Sequence, residues 1–365
     1  MLTEKPARLL VKGREFKMKL ATKCISTSSL PYESAQAATK MMAKLFAKTP
    51  YLAMLPKISE NDDILNLTLE NLPGIKIKNK KVTLKTTSQN YKQQLEKLDK
   101  AYNSPNYEHL APFAIKTEFF EKYLDIIKKF KSPNAFINML GPFTISQMLR
   151  GVAEEQMLAD KSYRKLFIQA VSVRALWIVE EIKKVSPKTQ PIIILNEPIL
   201  AQLGILKKMD DSITTEVVTA LLSKVIEKLH EANVQVGIQC MEKCDWQIPI
   251  NAGVDLISFD AYNNPNNLSV IPEQITEFLK KGGKINWAIV PTLNETLIKE
   301  LSVDYLLKRL QFAMEELINA GVSQKLVYKT ASVSLQGNTE HLSILFAEKA
   351  LMLSTKLGEK LLLQV

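Results

Sequence analysis

Short continuous apolar runs recur along the chain from residue 23 onward, each closed by polar residues or proline. The runs are brief and rich in β-branched residues, which predicts strands. They fall at 23–26, 51–56, 135–140, 191–195, 234–239, 252–262, 284–290 and 325–330. Segments with apolar residues at helical spacing predict helices at 34–47, 153–185, 212–231, 271–281, 303–319 and 339–356. Strands that are apolar without alternation should be covered on both faces, by helices outside and a packed interior inside. Eight such units in succession predict a closed (β/α)8 TIM barrel. A doubly wound open sheet competes with it, but no glycine-rich dinucleotide turn follows the first strand.

Residues 57–130 break this rhythm and predict an insertion after the second strand. They hold a charged stretch from Glu60 to Asp63, a Pro73-Gly74 turn and two short alternating runs, Ile75-Lys76-Ile77-Lys78 and Val82-Thr83-Leu84. Asn79-Lys80-Lys81 between those runs predicts a β-hairpin. The expected organisation is a single barrel domain over 22–365, interrupted by 57–130 and preceded by an N-terminal extension, 1–21. That extension is basic but broken by Glu4 and Glu15, with no apolar core of a secretory signal.

The net charge of +10 comes from lysines spread among acids along the whole chain, so it predicts charged helix surfaces rather than a nucleic-acid footprint. Three cysteines, Cys24, Cys240 and Cys244, are too few for a disulfide scaffold and fit a reducing compartment. No apolar run approaches the ~20 residues of a membrane span. These features predict a cytoplasmic protein that binds neither nucleic acid nor membrane.

Function should sit where polar side chains end the strands, because barrel sites form at the carboxyl ends of their strands. The run Val234 to Gln239 leads into Cys240, Met241, Cys244, Asp245 and Trp246, and the next strand ends at Asp260. Cys240 should point away from the cleft if Gln239 and Met241 point in, since neighbours on a strand face opposite ways. Trp246 and Trp287 read as core. His109, His230 and His341 do not fall at strand ends.

Several of these strand exits resemble one family. Ser28-Ser29-Leu30-Pro31 resembles the G-S-L-P-H turn of the methionine synthase and uroporphyrinogen decarboxylase superfamily. Gly141-Pro142-Phe143-Thr144 resembles its G-P-[FV]-T, and Asn196-Glu197-Pro198 its D-E-P. Gly237 to Met241, with Asp245-Trp246, resembles G-I-H-C-C…D-W. Ile257 to Tyr262 and Trp287 to Thr292 match further blocks, all in family order. The likeness is to the catalytic domain of cobalamin-independent methionine synthase and its short single-domain relatives. It implies methyl transfer from a folate or corrinoid carrier to a thiol such as homocysteine, held as thiolate by zinc.

Matched residue by residue, the zinc ligand positions hold Gln239, Met241, Asp260 and Val333. Only Asp260 is a good zinc donor, so no resident metal or cofactor is expected. Asn196 stands where the family places an acid for the substrate ammonium. The candidate catalytic residues are Asp260 and Glu197, although Glu197 is equally suited to bonding backbone groups at its strand exit. The candidate substrate-binding residues are Ser28, Ser29, Thr144, Asn196, Glu197, Gln239, Thr292 and Ser332. Two expectations follow: a methionine-synthase-like methyltransferase with a degenerate zinc site, acting on homocysteine or methionine, or a non-catalytic relative binding an amine-bearing molecule or a protein partner. Tetrapyrrole decarboxylation is disfavoured, because the first strand exits into Ser26-Thr27-Ser28-Ser29 rather than into arginine and aspartate.

Overall fold

The computed structural model describes residues 19–115, 117–153 and 157–364. The predicted N-terminal extension therefore lies, up to residue 18, outside the described residues. Its last three residues are tied down, with Ala21 N donating to Asn134 Oδ1 at 2.9 Å and Asn134 Nδ2 donating to Lys19 O at 3.1 Å.

The strands in chain order are β1 (Ile75–Lys78), β2 (Lys81–Leu84), β3 (Asn134–Leu140), β4 (Gln190–Asn196), β5 (Gln235–Gln239), β6 (Leu256–Asp260), β7 (Lys284–Val290) and β8 (Ala331–Leu335). The helices used below are α1 (Ala35–Leu45), α2 (Ile64–Leu69), α3 (Tyr91–Asn103), α4 (Glu118–Phe130), α5 (Pro142–Ala153), α6 (Lys161–Val185), α7 (Thr215–Glu231), α8 (Pro272–Lys280), α9 (Val303–Asn319) and α10 (Ile344–Leu362). Strands β3 to β8 pair in sequence order, all parallel, and the six curl into an open half-barrel with helices packed outside.

The closed eight-stranded barrel expected from the sequence is thus not formed. The first two predicted strands contribute one bridge each, Cys24 to Val333 at one edge of the sheet and Tyr51 to Phe136 at the other. Local chemistry keeps them short. The Cys24 carbonyl accepts from the hydroxyls of Thr22 (2.7 Å) and Thr49 (3.4 Å), groups that take the place of a neighbouring strand. Pro50 has no N–H to offer a ladder.

The last predicted strand is displaced as well. Residues 325–330 lie within a helical turn, Gln324–Thr330, and the strand is the following Ala331–Leu335. Its alternating Ala-Ser-Val-Ser-Leu pattern is a half-polar signature that resembles a loop beside the apolar runs of β3 to β7. The reason for the alternation is internal. Register places Asn196, Gln239, Ser258, Asn286 and Ser332 side by side on successive strands. Residues so aligned share a face of the sheet. Asn286 Nδ2 donates to Ser258 Oγ at 2.8 Å and to Ser334 Oγ at 2.7 Å, while Ser332 Oγ donates to Asn286 Oδ1 at 3.2 Å. The next row, Phe259, Trp287 and Val333, faces the opposite way. There Trp246, Phe259 and Trp287 pack ring against ring, buried as core.

Between the second bridge and β3 the chain builds a small layer of its own. The predicted hairpin is present, β1 antiparallel to β2, turning on Asn79 (φ 50°) and Lys80 (φ 58°). Positive φ at both central residues is the hairpin turn whose twist suits the strands. Arg174, fully buried in α6, fastens this layer to the helices packed outside the half-barrel. Its Nη1 donates to Phe113 O at 2.6 Å and its Nη2 donates to Glu70 O. Glu70 caps the C-terminus of α2, so the guanidinium takes up an orphan helix carbonyl. Burial lowers its pKa to about 10, which leaves it charged at neutral pH.

Arg174→Met should keep the volume but strand the buried Phe113 carbonyl and the part-buried Glu70 carbonyl. A loss of about 2–4 kcal/mol is expected from that kind of change. Urea unfolding checks it, and a loss under about 0.5 kcal/mol would show that the clamp contributes nothing.

Candidate functional site

A cavity of about 540 Å³ opens at the carboxyl ends of the strands. Asn138, Asn196 and Gln239 reach it from β3, β4 and β5, and Leu335, Gln336, Gly337 and Asn338 from the end of β8. Thr27, Ser28 and Ser29 close one side. Asp62, Asp63 and Lys80, from the start of α2 and the hairpin turn, close another. Met54, Ile64, Leu65 and Met241 supply apolar wall, and Glu242 and Glu340 lie at the rim. Its size and mix of apolar wall with convergent polar groups suit a small molecule.

Much of this lining is held in place. Thr27 Oγ1 donates to Gln239 Oε1 at 3.3 Å. Ser29 N donates to Asn338 Oδ1 at 3.1 Å, and Ser29 Oγ donates to Glu340. Asn138, only 6% exposed, donates weakly to Thr27 O at 3.5 Å, and its Oδ1 has no protein partner. Asn138, Lys80, Asp62, Asp63 and Gln336 were not among the residues expected from the sequence. Asn138 sits inside an apolar run. The others come from the small layer between the second bridge and β3 and from the end of a strand displaced from its expected place. The Gln-Gly-Asn run at 336–338 following the alternating β8 was the available signal.

Glu197 does not line the cavity. It is wholly buried, and its carboxylate accepts from Phe143 N (2.9 Å), Thr144 N (2.7 Å) and Thr144 Oγ1 (2.6 Å). Those donors are the first turn of α5, so the acid caps a helix N-terminus and ties the end of β4 to it. Gly141 is part of the same arrangement, since a Cβ there would lie 2.1 Å from Glu197 Oε1. Thr144 thus serves Glu197, away from the cavity. Burial raises the Glu197 pKa to about 7, outweighing the three hydrogen bonds, which favour the ionised form.

Asp260 is also buried. It accepts from Tyr262 N (3.0 Å), Asn263 N (2.9 Å), Asn263 Nδ2 (2.8 Å) and Gln336 Nε2 (2.6 Å). Through the last of these it positions a side chain of the cavity wall without facing the cavity itself. Thr292 is buried beside Gly337, and its carbonyl bonds His341 Nε2 at 2.9 Å. Ser332 lies in mid-strand within the polar row. Of the expected binding residues, the cavity brings together Ser28, Ser29, Asn196 and Gln239. Cys240 is buried outside it, its thiol 3.5 Å from Glu242 O.

The zinc implied by the resemblance can be tested against these positions. Gln239 and Met241 reach the cavity, but Asp260 is saturated by four donors. Val333 faces outward, on the side where its bridge partner Cys24 bonds Ser354 of α10 at 2.9 Å. Among the described residues no group of three or more His, Cys, Asp or Glu could hold a metal ion. The residues do not fit zinc.

No protein-family model and no curated protein matches the chain. Among solved structures, a methyltransferase from Methanosarcina mazei superposes with a TM-score of 0.50 at 10% identity, covering 93% of this chain and 94% of that one. The two share a fold. Among the described residues, no helix is long and apolar enough to cross a membrane.

Glu197 gives a measurable pH signature. Its ordinary pKa of 4.5 applies in the unfolded chain and about 7 in the fold. Between these values the folded chain keeps a proton that the unfolded chain has released. Stability from this group is full below pH 4.5 and falls as pH rises through 7, by about 3 kcal/mol in all. Urea unfolding at pH 5 and pH 8 should show this slope. Glu197→Gln should flatten it, and an equal slope in the variant would refute the assignment.

Proposed function

We propose that this chain is a methyltransferase-like protein whose strand-end cavity holds a small amine-bearing molecule without zinc. Homocysteine and methionine are the candidates that the sequence resemblance suggests, with a folate or a corrinoid carrier as methyl donor. The observation that favours an amine is the composition of the wall. Four carboxylates (Asp62, Asp63, Glu242, Glu340) and five carboxamides (Asn138, Asn196, Gln239, Gln336, Asn338) face one ammonium, Lys80. Such a wall attracts a cation and offers acceptors to its N–H groups.

Methyl transfer to a thiol needs the thiolate, which the family obtains from its metal. These residues do not assemble a metal site, so the roles argued for them are to bind, orient and enclose. A second reading, a relative that binds without turnover, is favoured by Glu197 and Asp260. Both carboxylates are spent on backbone and amide donors, and neither faces the cavity as an acid or base.

Thermal shift and calorimetry with homocysteine, methionine, N-acetylmethionine and folates test the proposal. The free amines should raise the melting temperature, N-acetylmethionine should not, and prior dialysis against EDTA should change nothing. Asn196→Ala with Gln239→Ala should weaken binding at least ~10-fold, about 1.4 kcal/mol, at unchanged unfolding midpoint. Equal binding of the acetylated compound, or loss of binding after EDTA, would overturn it.

A further inference from the structure

A second concavity lies on the helical flank, between α3, α6 and α7, and shares no lining residue with the strand-end cavity. Its volume is about 490 Å³. The floor is apolar, formed by Ile168 of α6 and by Val217, Ala220 and Leu221 of α7, with Tyr102 of α3 at one side. The rim is cationic: Lys161, Arg164 and Lys165 stand on the first turns of α6, and Lys224 stands on α7.

Among the described residues, the acids nearby are accounted for. Asp99, the one carboxylate in the lining, is 2.6 Å from Lys165 Nζ and also accepts from Gln169 Nε2 at 2.8 Å. Glu227 pairs with Lys224 at 2.7 Å. Asp160 caps α6 through Ser162 N. Among the described residues Lys161 and Arg164 have no acidic partner. They also sit at the end of a 25-residue helix where the peptide dipoles disfavour a cation. The ordinary use of such side chains is to cover a helix surface with mixed charge. Here they border a half-apolar hollow of ligand size, and an anion bound there would relieve both their mutual repulsion and their conflict with the dipole.

We propose that this groove binds a small amphiphilic anion, an apolar body lying on Ile168, Val217 and Leu221 with its carboxylate, sulfonate or phosphate head against Lys161 and Arg164. The inference is independent of the function proposed above. A concave groove of about 490 Å³ suits a single free molecule rather than a lipid bilayer, whose surface is broad and flat.

Fluorescence titration of the full chain with 8-anilinonaphthalene-1-sulfonate, an aromatic body carrying one sulfonate, tests it. Saturable binding is expected, weakened by added salt, displaced by decanoate and not by uncharged decanol. Lys161→Glu with Arg164→Glu should weaken it at least ~10-fold. Val217→Asp should do the same from the floor. Both variants should keep the melting temperature and whatever response the strand-end cavity gives to methionine. Equal affinity in the charge-reversed variant, equal displacement by decanol, or absence of saturable binding would overturn the proposal. Charge-dependent sedimentation with phosphatidylglycerol vesicles, lost in the same variant, would overturn the free-molecule assignment.

Discussion

The structure depends on the register of its parallel strands. Once Asn196, Gln239, Ser258, Asn286 and Ser332 are aligned on five neighbouring strands, every residue of those strands has its side decided. A one-residue slip in any strand would turn its polar side chain into the packed helices and an apolar one into the interior. Buried polar groups without partners cost about 1–3 kcal/mol each, so the hydrogen bonds around Asn286 penalise such slips strongly. The interior of the curl is therefore polar by construction. The strand-end cavity continues this row upward, with Asn196 and Gln239 as its last members.

The two carboxylates with the strongest apparent claim to chemistry work as fasteners. Glu197 fixes where α5 begins, and Asp260 fixes the turn after β6 together with Gln336. Each ties a loop near the mouth of the cavity to its neighbours by several hydrogen bonds. A buried acid bonded to several N–H groups is well suited to this, since it satisfies donors that a helix or turn cannot satisfy internally. The Gly141-Pro142-Phe143-Thr144 turn and the Asn196-Glu197-Pro198 turn, far apart in sequence, are thus two halves of one arrangement.

Strands β3 to β7 were legible because they are continuous apolar runs covered on both faces. The fold went astray at the margins. The segments near Cys24 and Tyr51 have strand composition, but side-chain hydroxyls occupy the Cys24 carbonyl and Pro50 lacks the N–H a ladder needs. The stretch before β8 is apolar enough to read as a strand, yet it forms a helical turn, and the true strand alternates because its serines serve Asn286. That displacement moved Ser332 and Val333 out of any site and hid Gln336 to Asn338. Asn196 and Gln239 were legible as strand-end polar residues. Asn138 was not, because a lone carboxamide within an apolar strand resembles tolerated polarity until the cavity beside it is seen. Asp62, Asp63 and Lys80 arrive by tertiary folding of the small layer that precedes β3, which no local pattern encodes.

Lys80 occupies a left-handed turn position that glycine fills with less strain, and in that position it places the one ammonium that the described residues bring to the cavity wall. The hairpin would fold more readily with glycine there. If the cavity is used, neutral drift and ligand recognition pull this position in opposite directions. A lineage that abandoned the ligand would be expected to lose the lysine early, with no harm to its fold. The residue at the tip of this hairpin therefore ties the stability of a turn to the charge of the cavity wall.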